Sequence, residues 1–129
     1  MKVEYFDINS KNNNCILRSL SKALDIKPDT IEKELLQISD NYADEKVWDE
    51  YLKDKGFIID EYYKGKLLSE VSLNNLNIVF AYNNEWYHML TVINNVIYDK
   101  HSYEDLKCLK IIKIYKKWNF CLTMKSLML

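Results

Sequence analysis

From residue 15 onward the chain sets its apolar positions at helical spacing. Ile16, Leu17, Leu20, Ala23 and Leu24 fill one arc of a helical wheel. This predicts a helix over about 15–25, broken at Lys27-Pro28 because the residue before a proline is pushed out of the helical region. Asp29-Thr30-Ile31-Glu32 then has the form of a capping box, an acid followed three residues later by Glu. It predicts a second helix that buries Ile31, Leu35 and Ile38. Polar residues 39–43 make a turn. A third helix is expected over 45–55, with Val47, Trp48, Tyr51 and Leu52 as its stripe and Gly56 at the position after its end. Residues 1–8 suit a short first strand or an extended arm, 9–14 a loop, 57–59 a short strand and 67–74 a helical turn.

Beyond residue 76 the period changes. Ile78-Val79-Phe80-Ala81-Tyr82 is the continuous apolar run of a buried strand. A turn at 83–85 leads to a strand over 87–93. Asn94-Asn95 closes a hairpin, since Asn tolerates the positive φ of a two-residue turn, and 96–99 returns. Further strands are expected over 109–115 and 118–124. The pattern is α+β, with N-terminal helices packed on a C-terminal antiparallel β-sheet. It fits one domain over 1–129, the helical part about 12–75 and the sheet part about 76–124.

Composition narrows the classes. The 129 residues are 48% apolar and 29% charged, ordinary values for a globular domain of this length, and the net charge is -1. That charge gives no general pull toward nucleic acid or a membrane surface. The first 15 residues lack the apolar stretch of a secretory leader, and no run approaches the ~18 apolar residues of a spanning helix. Three cysteines with no C-x-x-C argue against a disulfide framework and a structural zinc site. A cytoplasmic setting is the expectation, and it leaves Cys15 a free thiol.

Cys15 falls on the polar side of its helix, with Arg18, Ser19 and Lys22. A structural cysteine belongs among the leucines. A thiol in the first turn of a helix instead feels the positive end of the dipole, which favours the thiolate. The hairpin offers it a base. With Asn94-Asn95 as the turn, Ile93 pairs with Val96, Val92 with Ile97 and Thr91 with Tyr98. His88, Leu90 and Val92 then share a face with Ile97, Asp99 and His101. His88 and Asp99 become diagonal neighbours within hydrogen-bonding reach. If the helix packs its start against that face, Cys15, His88 and Asp99 make a nucleophile, a base and an orienter.

Plainer readings stand beside this one. His88 could serve a backbone carbonyl, and Asp99 could cap the following turn. His101 could contact substrate, or be the base if the register slips by two. A metal held by Cys15, His88, Asp99 and His101 would match no familiar ligand spacing, so neither metal nor cofactor is expected. Cys108 and Cys121 lie in apolar patterns, as core or edge residues. Lys107, Lys110, Lys113, Lys116 and Lys117, with Tyr115 and Trp118, read as the wet side of an edge strand more readily than as a nucleic-acid surface. The acids of the third helix read as a solvated face. Trp86 and Tyr87 precede His88 and fit either a substrate-groove wall or the core.

The strings Asn14-Cys15-Ile16-Leu17-Arg18-Ser19-Leu20 and His88-Met89-Leu90-Thr91-Val92-Ile93-Asn94-Asn95-Val96-Ile97-Tyr98-Asp99 resemble the papain-like cysteine peptidases. The likeness is to their compact branch, which includes bacteriocin-leader peptidases and small bacterial and phage proteins. The resemblance implies a papain-like fold and a thiol hydrolase acting on a protein or peptide, with Cys15 as nucleophile, His88 as base and Asp99 as orienter. It also marks departures. Asn14 stands where those small proteins carry an acid. Asn9 stands where the family places a glutamine as oxyanion donor. The chain is short for a peptidase, so deamidation or acyl transfer are further chemistries. The competing expectation is a catalytically silent phage or prophage protein that binds and inhibits a host defence protein in the host cytoplasm.

Overall fold

The computed structural model describes residues 1–117. Helix α1 (Cys15–Leu24) begins where Asn14 caps it, its side-chain oxygen accepting the Leu17 N–H at 2.9 Å. It ends at Asp25, which takes the left-handed conformation with φ 54°. Helix α2 (Pro28–Ile38) has its proline in the first turn, where a missing N–H costs nothing. The capping box expected at Asp29 does not form, because the proline starts the helix one residue earlier. Asp29 and Glu32 turn instead to the loop before Cys15. Ser10 Oγ donates to Asp29 at 2.8 Å, while Asn12 Nδ2 and the Tyr42 hydroxyl each donate to Glu32 at 2.7 Å. Helix α3 (Glu45–Asp54) is capped by Asp44, which accepts the Lys46 N–H, and Gly56 follows its end at φ 88°. It buries Val47, Trp48, Tyr51 and Leu52, the expected stripe.

Six strands form one sheet. They are β1 (Lys2–Tyr5), β2 (Phe57–Asp60), β3 (Leu76–Tyr82), β4 (Tyr87–Ile93), β5 (Val96–Asp99) and β6 (Lys110–Lys117), in the order β1-β5-β4-β3-β6-β2. The β4–β5 hairpin has the predicted register, and Asn94 and Asn95 turn it with φ of 47° and 64°. Other expectations need correction. The sheet is mixed rather than antiparallel, because β1 lies parallel to β5. A sheet confined to residues beyond 76 is also wrong, since β1 and β2 from the helical half form its two edges. β6 is therefore an interior strand, between β3 and β2. Its lysines do not make a free edge: Lys113 pairs with Glu45 and Lys116 with Asp60. The third helix's acids are likewise partly engaged, Asp49 accepting from the Tyr115 hydroxyl at 2.8 Å. The helical turn expected within 67–74 forms as a 3₁₀ turn at Leu68–Glu70. A short helix α4 (Tyr103–Leu106) precedes β6. Cys108 follows it and is exposed rather than in the core. The strand expected over 118–124, with Trp118 and Cys121, lies outside the described residues.

Both faces of the sheet are covered, which is why β3 is apolar at successive positions. Ile78 and Phe80 join Leu17, Leu20, Ile31, Leu35, Trp48 and Met89 under the helices. Val79 and Ala81 join Leu90, Val92, Ile97, Leu106 and Ile114 on the other side. Helix α1 is sunk into the first of these cores. Its polar side is not solvated as its pattern suggests: Arg18, Ser19 and Ser21 are 2%, 2% and 7% exposed. The Ser19 hydroxyl donates to the Met89 carbonyl at 2.7 Å, and Thr91 Oγ1 donates to the Ser19 carbonyl at 2.7 Å. Ser19 is thus buried because β4 supplies its partners, while Arg18 is met by Asp7 and Asn13 and Ser21 by the Arg18 carbonyl. Among the described residues no helix is long and apolar enough to cross a membrane.

Candidate active site

Cys15 opens α1, so the N–H groups of Cys15 and Ile16 have no acceptor within the helix. The loop that delivers the cysteine is held by its asparagines. Asn12 bonds to Glu32, Asn13 to Asp7 and Arg18, and Asn14 to the Tyr42 hydroxyl. Each short amide is matched to a partner, which explains how so polar a stretch fixes one conformation.

Helix α1 packs on the β4 face that carries Met89 and Thr91, not on the face of Leu90 and Val92 that side-chain alternation assigns to His88. The residues still meet, because the strands part at this end of the sheet. The β4–β5 pairing runs only from Ile93–Val96 to Thr91–Tyr98. Asp99 pairs instead with Tyr5 of β1, and the Phe6 N–H reaches its carbonyl at 3.0 Å. His88, one residue into β4, lies in the opening. Its Nε2 is 2.7 Å from Asp99 Oδ2, with both side chains almost wholly buried. That bond leaves Nδ1 for Cys15. Asp99 Oδ1 accepts the His101 N–H at 2.9 Å.

The electrostatics follow from these contacts. Burial pushes the Cys15 thiol up, but the hydrogen bond with His88, the Met89 N–H and the nearby Arg18 charge together bring it below its ordinary value. Burial opposes the charge on His88, while Asp99 and Cys15 hold the imidazole above its usual range. Asp99 would rise with burial, yet His88, the His101 N–H and Arg18 keep its carboxyl low. All three shifts favour a thiolate–imidazolium pair backed by a carboxylate.

Cys15 and His88 share a cleft of about 550 Å³, walled by Ile16, Trp48, Phe80, Tyr87, Met89 and Ile112. Phe80 and Tyr87 stack at 5.8 Å, and Trp48 meets Phe80 edge-on at 5.2 Å. Ile112 is the extra residue of a β-bulge, for Phe80 pairs with Lys113 and Ala81 with Ile111. The sequence pattern gave no sign of that bulge, so Ile112 was not foreseeable as a cleft residue.

Two expected site residues lie elsewhere. Asn9 is exposed and lines a separate hollow with Phe6, Asp7, Ile8 and Lys22, so it does not border the Cys15 cleft. Trp86 is not a wall of that cleft either. It packs edge-on to the His88 ring at 4.8 Å and covers His101 at 5.4 Å, while Tyr87 takes the place on the wall. Trp86 thereby shields the imidazole on the side away from the cleft. His101 presents its ring edge-on to His88 at 5.2 Å, and burial lowers its pKa. It contributes its backbone N–H to Asp99, whereas the ring of His88 is bonded to Asp99 and shares the cleft with Cys15.

His88, Asp99 and His101 each bring a potential ligand atom within 4.8 Å of the others. Two donors around one zinc ion, each ~2.0 Å from it, stand roughly 3.3 Å apart in a tetrahedral shell. The His88–Asp99 separation is shorter than that and is the geometry of a direct hydrogen bond. No family model, curated protein or solved structure matches the chain.

Proposed function

We propose that the protein is a cysteine-dependent hydrolase of papain-like kind, acting on a peptide or amide bond. The observation that carries this reading is the buried 2.7 Å bond from His88 Nε2 to Asp99, on an imidazole whose other side faces a thiol at a helix start. His88 holds the proton of Cys15. The thiolate sulfur attacks the carbonyl carbon, a C–S bond forms, and the carbonyl electron pair moves to oxygen. The N–H groups of Cys15 and Ile16 are free to receive that oxyanion. His88 passes its proton to the leaving nitrogen as the C–N bond breaks, and a thioester remains. Water then attacks with His88 as base, the C–S bond breaks, and the acid departs while the thiolate–imidazolium pair is restored. An amine in place of water gives acyl transfer by the same residues. The apolar cleft supports a substrate whose reacting carbonyl sits beside a bulky apolar group.

The test is alkylation of Cys15 by iodoacetamide across pH, followed by mass of the Cys15 peptide. The expected onset lies well below that of a free thiol, near ~8.5, and His88→Ala moves it up to that range. Equal onsets in the two proteins would overturn the reading. A second reading, a silent relative that binds a host protein, has one observation in its favour: among the described residues no side-chain amide borders the cleft where an oxyanion donor is expected. It requires that Cys15→Ala keep the full biological effect and the same bound partner.

A further inference from the structure

We infer that Arg18 is a positioning residue of this site: its guanidinium, sunk between Asp7 and Asp99, keeps the Asp99 carboxylate ionised and turned toward His88 whether or not that imidazole carries a proton. The inference rests on the triad reading above and adds to it a fourth member that acts through Asp99.

Arg18 sits one turn below Cys15 on α1, and its side chain is 3% exposed. Its Nε is 3.3 Å from Asp7 Oδ1, and one terminal nitrogen donates to Asn13 Oδ1 at 3.3 Å. The other terminal nitrogen, Nη1, is buried with no hydrogen-bond partner among the described residues and stands 3.9 Å from Asp99 Oδ1. A buried charge is kept only where opposite charge surrounds it. Asp99 has the same need. It is 1% exposed, and it faces His88 from β4, Arg18 from α1 and His101 just beyond β5. His101 offers Asp99 a neutral N–H. Arg18 is therefore the permanent cation among these three neighbours, because the charge on His88 comes and goes.

That difference matters during turnover. When His88 has delivered its proton to the leaving group, it is neutral, and a buried Asp99 without Arg18 would have no cation beside it. It would then draw a proton from its surroundings or turn away, and the tautomer of His88 would be lost. With Arg18 present, charge alternates from the Cys15 thiolate through His88, Asp99 and Arg18 to Asp7. The planar fork of an arginine spans Asp7, Asn13 and the direction of Asp99 at once, which a point-like ammonium does not. Asp7 is itself fixed by the Ile8 N–H and the Asn13 amide, so the cation is anchored from outside the triad.

The experiment compares Arg18→Met and Arg18→Lys in the full chain, each with Asp99 intact and with Asp99→Asn, by the pH onset of Cys15 alkylation. Arg18→Met is expected to raise the onset by about one pH unit, the lower end of what an arginine does to a neighbouring carboxylate. Arg18→Lys restores only part of that shift, because the charge returns without the fork that holds it between Asp7, Asn13 and Asp99. In the Asp99→Asn background Arg18→Met moves the onset by less than about half as much, the non-additivity of residues acting in one chain. An unchanged onset in Arg18→Met, or a shift undiminished by Asp99→Asn, overturns the inference, since a role limited to anchoring Asp7 and Asn13 predicts one or the other. Arg18→Gln, which keeps N–H donors but no charge, gives the same comparison if the methionine variant does not fold. Should wild type and His88→Ala share one onset, the triad reading fails and this inference falls with it. A difference there with no effect at Arg18 removes the inference alone.

Discussion

Thr91 donates its hydroxyl to the backbone carbonyl of Ser19 at 2.7 Å, tying β4 to α1 one turn below Cys15. The Ser19 hydroxyl answers with its own bond to Met89, the residue after His88. The helix of Cys15 and the strand of His88 are thus joined by polar bonds inside an apolar core. Thr91→Val keeps the shape and removes the donor. It is expected to lower stability by about 1 kcal/mol, read as a shift in urea midpoint with unchanged slope. No change in midpoint would mean that the bond does not help hold the helix to the strand.

Two histidines compete for the role of the proposed base. His101→Ala removes a ring that packs against His88 and Trp86, while the backbone N–H to Asp99 stays. The onset of Cys15 alkylation is expected to stay within about half a pH unit of wild type, inside the ordinary spread of a site's pKa. A shift as large as that of His88→Ala would reassign the base to His101.

Asn14 offers a split between stability and reactivity. Asn14→Ala loses the cap on Leu17 N–H and is expected to cost about 1 kcal/mol. Asn14→Asp keeps a capping oxygen and places a negative charge at the helix start, so stability stays within about 0.5 kcal/mol of wild type. The same charge stands next to Cys15 and disfavours a second anion, so the alkylation onset rises. Thermal melts and alkylation of the same samples check both halves. A stable Asn14→Asp protein with an unshifted onset would show that the thiolate does not feel this position.

Acid stability reports on Asp99. Its folded pKa is depressed, so it stabilises the fold above the unfolded-state value of ~3.9. That contribution is lost as pH falls through the lower folded value. His88 has the opposite sign. Its raised pKa contributes fully below ~6.5 and is lost as pH rises through the folded value. Asp99→Asn removes the first effect and weakens the second. Urea melts at pH 7, 5 and 3 are expected to show a shallower loss of stability between pH 5 and 3 than in wild type. An equally steep loss would place the acid sensitivity in the other depressed carboxylates, Asp7, Asp49 and Asp60.

Much of the fold and part of the site can be read from the chain itself, because those features are local. The spacing of Ile16, Leu17, Leu20 and Leu24 makes a helix whatever it packs on. Asn94-Asn95 sets the register of one hairpin, and that register puts His88 and Asp99 at the same end of neighbouring strands. Cys15 is placed at a helix start by the cap that Asn14 gives Leu17. Each depends on residues only a few positions apart, or on a turn that joins neighbouring strands.

Tertiary structure decided the rest, through partners distant in the chain. Asp29 and Glu32 look like a cap, but Pro28 starts the helix and frees them to hold the loop at Ser10 and Asn12. β1 and β2 reach the sheet edges by pairings that no local period encodes. Asn9 and Trp86 are near Cys15 and His88 in sequence, yet the one faces another hollow and the other the back of the imidazole. The polar side of α1 misleads most. Arg18 and Ser19 fall on that polar side, and they are buried. A periodic pattern reports how one element divides its residues between two sides. Whether a polar side meets water or a matching set of donors and acceptors depends on the atoms that other elements bring to it.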